Sequence, residues 1–107
     1  MPTTLAFENS FQVGQSMHDL GTVEVRDFAQ IRILAFARRD SLNLKITLVA
    51  EEPGHRIATL DTLLLGPGES ATRVYDVPGT MVAVFAEAAG DERESTGAGA
   101  VYIWGRT

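Results

Sequence analysis

Each internal proline of this 107-residue chain is followed by glycine, at Pro53-Gly54, Pro67-Gly68 and Pro78-Gly79. Proline presets φ near about −65° and glycine accepts the positive φ that follows, so each pair suits the centre of a type II turn. The runs between these corners are rich in Val, Ile, Leu, Thr and aromatic residues, and no proline interrupts them. Hydrogen-bonded strands require that, because proline has no N–H to give to a ladder. Some of the corners are expected to carry the chain between sheets, since tight two-residue hairpins prefer primed turns that Pro-Gly does not supply.

The apolar runs show period two. Strand candidates cover residues 4–7, 11–17, 21–25, 30–38, 42–51, 56–65, 70–77, 80–88 and 98–105, with Glu8-Asn9-Ser10 and Arg39-Asp40-Ser41 read as turns and 89–97 as the longest loop. In 42–51 the alternation is cleanest, with Leu42, Leu44, Ile46, Leu48 and Ala50 on one face. About eight strands at this spacing, without a helical period, predict an all-β fold. The expectation is a single antiparallel β-sandwich over 1–107, with jelly-roll or Greek-key-like connections.

Bulk properties narrow the function. A net charge of −5, with the basic residues scattered, disfavours nucleic acid, which needs clustered Lys and Arg. Cysteine is absent, which excludes disulfides, thiolate metal sites and cysteine nucleophiles. No apolar segment approaches the about 20 residues that span a membrane as a helix. No charged start followed by an apolar run marks a secretory signal, so the cytoplasm is the expected location, with an exported or viral component left open.

The strands carry more apolar surface than one two-layer core can hide. In 30–38, Ile31, Ile33, Ala35 and Ala37 oppose Arg32, Leu34, Phe36 and Arg38; in 98–105, Val101 and Ile103 oppose Tyr102 and Trp104. Only one face of each strand can point inward, and a leftover apolar patch is characteristic of an interface. Eight of the nine basic residues are arginine, a side chain enriched in interfaces. Arg32, Leu34, Phe36 and Arg38 are therefore the candidate interface, for another copy of the chain or a different protein. The alternative is a carbohydrate platform built from Tyr75, Tyr102 and Trp104, whose rings could stack on sugar faces.

Catalytic chemistry finds little support. His18 and Asp19 are adjacent, so on a strand they point to opposite faces; His55 follows a Pro-Gly corner and reads as a solvated turn residue. Nothing resembles a nucleophile elbow, and two histidines without thiolates are a poor zinc set. Asp91, Glu92 and Glu94 share a loop but lack the EF-hand spacing, and read as solvated. Asp61, in an apolar strand, is expected to face solvent or to accept hydrogen bonds from Thr59, Thr62 or an arginine; with Glu87 it could only notionally form a carboxylate pair. Gly97-Ala98-Gly99 precedes a strand rather than a helix, which sets it apart from a nucleotide fingerprint and suggests a flexible strand start. No catalytic residue, metal or cofactor is expected.

Overall fold

A computed structural model describes residues 3–52, 55–77, 80–89 and 96–107. Eight strands run in chain order: β1 (Thr3–Val13), β2 (His18–Glu24), β3 (Gln30–Ala37), β4 (Asn43–Glu52), β5 (His55–Leu65), β6 (Ser70–Asp76), β7 (Met81–Ala89) and β8 (Gly97–Arg106). They form two antiparallel sheets of four, in the orders β1-β8-β3-β6 and β2-β7-β4-β5. The all-β sandwich read from the period-two runs is the observed architecture.

The two orders share one rule. β1 pairs with β8, β2 with β7, β3 with β6 and β4 with β5. A chain doubled into one long hairpin and then rolled up gives this result. The inward phase of the strands builds one core from Ile31 and Ile33 of β3, Leu44, Ile46 and Leu48 of β4, Val82 and Val84 of β7, and Val101 and Ile103 of β8. All nine are 0–1% exposed, so the strands with two oily faces did choose one.

Of the three Pro-Gly corners, Pro67-Gly68 can be followed. Glu69 N–H donates to the Gly66 carbonyl at 3.0 Å, closing a four-residue turn, and Gly68 has φ 77°. That is the type II geometry the pair predisposes. The turn leads from β5 in one sheet to β6 in the other. Pro53-Gly54 and Pro78-Gly79 lie outside the described residues. The strands flanking them show that β4 to β5 is a hairpin within one sheet, whereas β6 to β7 changes sheets.

Several local readings change. Glu8-Asn9-Ser10 is not a turn: β1 continues through it from residue 3 to residue 13, opposite β8. Asn9 points inward and donates from Nδ2 to the Leu20 carbonyl at 3.0 Å, so pairing with β8 overrides the local turn chemistry. His55 begins β5, opposite Glu52, rather than sitting in the turn. Gly97 and Gly99 lie within β8 and act by being small. A Cβ on Gly99 would collide with the Phe36 carbonyl oxygen, which only glycine permits at this approach. The glycines are a packing device, not a flexible start. Asp91, Glu92 and Glu94 lie outside the described residues.

Candidate functional site

The alternation of β3 decides the site. With Ile31, Ile33, Ala35 and Ala37 turned into the core, Arg32, Leu34 and Phe36 must face out from the first sheet. Val101 and Ile103 turn inward on β8, which sends Tyr102 and Trp104 to the same outer face. The β3–β8 register places Arg32 opposite Trp104, Leu34 opposite Tyr102, and Phe36 opposite Ala100. Tyr102 and Trp104 of the proposed sugar platform thus share one surface with Arg32, Leu34 and Phe36 of the proposed interface.

On that surface the aromatic rings lean together. Phe36 and Tyr102 have centroids 6.4 Å apart and an interplanar angle of 19°; for Tyr102 and Trp104 the values are 5.8 Å and 21°. Spacings in this range are those of favourable aromatic pairs. Leu34, Phe36, Tyr102 and Trp104 are half-buried by one another and their strand neighbours. Leu5 of β1, opposite Trp104, and Val74 of β6, opposite Arg32, extend the apolar strip to both sides, at 46% and 52% exposure. The surroundings are polar: Glu8, Ser10 and Gln12 on β1, Thr72 and Asp76 on β6, and Arg106 on β8. An apolar centre within a polar, arginine-containing rim is the anatomy of a protein interface.

The arginines differ. Arg32 projects beside Trp104 and forms no ion pair among the described residues. Arg38 lies one residue beyond β3, where Nε meets Asp40 Oδ1 at 3.3 Å in an exposed pair that contributes little to stability. Between Trp104, Arg32, Val74, Gln30 and Thr3 runs a shallow cleft of about 140 Å³. A wider, open hollow of about 350 Å³ adjoins it over Leu34 and Thr72.

Tyr75 does not join this face. It stands opposite Ile31 in the inward phase of β6, packs against the core, and donates its hydroxyl to Asp61 Oδ2 at 2.6 Å. Burial, followed by the hydrogen bond and the charge of Asp61, pushes the phenol above its ordinary pKa; nearby Arg73 opposes the shift. Asp61 Oδ1 accepts the Thr62 backbone N–H at 2.7 Å. The expected Thr62 partner is there, and Tyr75 is the partner that sequence reasoning missed. The pair bridges β5 and β6, the edge strands that face each other across one open side of the sandwich. Its role is to join the two sheets.

Leu5, Val74 and Ala100 were not singled out from the sequence. The period-two phase of β8 points to Ala100, but Leu5 and Val74 could be placed only once register was known. No protein-family model matches the chain, and no curated protein matches it. Among solved structures the fold is similar to a pilus protein of Bacillus endospore appendages, at 14% identity over 99% of this chain and 91% of that one, with a TM-score of 0.49. It is also similar to the coat protein of tobacco streak virus, at 10% identity over 96% of this chain and 76% of that one, with a TM-score of 0.39.

Proposed function

We propose that the chain is a non-catalytic β-sandwich module, with the strand order of a jelly roll, that associates with further copies of itself through the outer face of the β1-β8-β3-β6 sheet. One observation carries this reading: Leu34, Phe36, Tyr102 and Trp104 form a contiguous array at the centre of that face, flanked by exposed Leu5 and Val74. Burying one such side chain contributes about 1.5–3 kcal/mol, so an array of them favours association.

The edges of the sheets speak for a face-to-face contact over strand addition. Bulges interrupt the ladders of three edge strands, at Leu5/Phe7 in β1, at Asp19/Gly21 in β2, and against Leu48/Val49 and Ala50/Glu51 in β5. The fourth edge, β6, carries Arg73 in its inward phase, opposite Ile33. Bulges and inward charges are the usual means of blocking edge pairing. Light scattering on the purified chain over a micromolar range tests the reading. The expected mass exceeds the 11.6 kDa monomer and returns to it in Leu34→Arg, with an unchanged β-type circular dichroism spectrum. A wild-type chain that stays at monomer mass refutes it.

A second reading, carbohydrate binding, keeps some support from the cleft beside Trp104, where Thr3, Gln30, Arg32 and Arg106 could hydrogen-bond hydroxyl groups. Against it, the three rings lean on one another, leaving few free faces for sugars, and Tyr75 is on the other side of the sheet. Glycan-array binding that disappears in a folded Trp104→Ala variant would favour this reading.

A further inference from the structure

The outer face reads as a grid of four columns, β1, β8, β3 and β6, whose rows follow from the ladder registers. One row is Thr3, Arg106, Gln30, Asp76; the next is Leu5, Trp104, Arg32, Val74; then Glu8, Tyr102, Leu34, Thr72; then Ser10, Ala100, Phe36, Ser70. We propose that this face pairs with the same face of a second copy about a two-fold axis running parallel to the strands, between β3 and β8. This rests on the self-association proposed above and adds its geometry.

Such a rotation reverses each row onto itself, laying β8 over β3 of the second copy and β1 over β6. Trp104 then meets Arg32 of the other copy, which gives the guanidinium an indole face to stack on. Tyr102 meets Leu34, and Leu5 meets Val74, the two most exposed apolar side chains of the face. Phe36 falls over Ala100, itself only 2% exposed, where a hollow of about 400 Å³ bounded by Ser10, Gln12, Phe36 and Arg38 gives the ring room. Arg106 falls over Gln30, beside Asp76 of the other copy, and Glu8 falls over Thr72. No like charges oppose each other.

Turning the axis across the strands instead keeps each column on itself. A rotation about the Glu8 row would then set Glu8 against Glu8, a repulsive contact across an interface. Space is sufficient in either case. The Cα atoms span 41 × 30 × 16 Å, the short dimension running through the two sheets, so the broad side exceeds the about 800 Å² that each partner of a standard interface commits. Face-to-face sheets also pack with their strands within about 30° of alignment, which both axes deliver.

The chain contains no cysteine, so introduced thiols report position without background. Glu8→Cys and Thr72→Cys, both exposed positions, are made as separate full-length variants and treated with a bis-maleimide matched to the about 10 Å between packed sheets. Mixed together they should give a covalent species at twice the 11.6 kDa monomer mass, while each alone should give little or none. Self-linking of Glu8→Cys overturns the proposed axis while leaving face association intact. A doubled mass by light scattering without linking in the mixture also overturns the axis. Monomer mass throughout overturns both the axis and the association it rests on.

Discussion

The two outer faces of the sandwich start from similar material and end differently. On the β2-β7-β4-β5 sheet, Val49, Ala83 and Phe85 lie in the outward phase yet are only 1–7% exposed. Phe85 sits opposite Thr47 on one side and Asp19 on the other, and the Lys45–Glu87 pair, 3.6 Å apart, occupies the next row. One ring is sealed by its neighbours. On the other sheet, three rings share the two central strands and the outermost columns give them little cover. Apolar content alone therefore does not decide how open a face is; its arrangement does. Leu64 makes the same point. It is 76% exposed but isolated, and single exposed apolar residues are ordinary.

The largest effect expected to probe this contrast comes from Phe85→Ala, which should lose about 3–5 kcal/mol in urea unfolding, as for a buried ring. Phe36→Ala should cost the monomer less than half as much, while weakening association. Equal losses in monomer stability would erase the distinction between sealed and open faces. Next, Leu34→Arg should weaken self-association by roughly tenfold or more, since burying a leucine contributes about 1.5–3 kcal/mol. Leu64→Arg should leave the concentration dependence of the mass unchanged.

Two smaller effects separate the stability of the sandwich from either face. Ser41, at the β3–β4 turn, accepts the buried Ala98 N–H at 3.0 Å and donates to the Leu42 carbonyl at 2.6 Å. Ser41→Ala should cost about 1–3 kcal/mol by thermal or urea unfolding, because it leaves the Ala98 donor without a partner. Tyr75→Phe should cost about 0.5–1.5 kcal/mol and leave association unchanged. Its pH dependence has a definite sign. The folded state raises the phenol pKa above the unfolded value of about 10, so Tyr75 contributes stability below that pH and loses it as pH climbs through the folded value. The stability gap between wild type and Tyr75→Phe should be flat at neutral pH and shrink above about pH 10.

Much of this was legible in the residues. The period-two runs located β3 to β8 to within a residue or two, and the doubly apolar character of β3 and β8 marked the open face before any pairing was known. What stayed hidden depended on register. In β1, asparagine and serine advertise a turn, and only the partner strand 90 or more residues later keeps them extended at Asn9 opposite Val101. In β6, the sequence Ser-Ala-Thr-Arg-Val-Tyr-Asp has no clean apolar phase, so nothing local announced that Tyr75 turns inward to Asp61 while Val74 turns out. The sealed cluster on the second sheet was obscured because β4 alternates without a break against β7 while both of its faces are covered there, so the consecutive residues Leu48 and Val49 are buried on opposite faces.

The rolled-hairpin order has a consequence for timing. Thr3 finds its ladder partner at Arg106, so the first strand made must wait for the last before its sheet can close. Contacts this distant along the chain slow folding. Yet the final strand also brings Tyr102 and Trp104, and it is the one that sets them beside Phe36. A nascent chain therefore lacks the contiguous aromatic array until its own architecture is finished, and the fold and its outer face are completed in the same step.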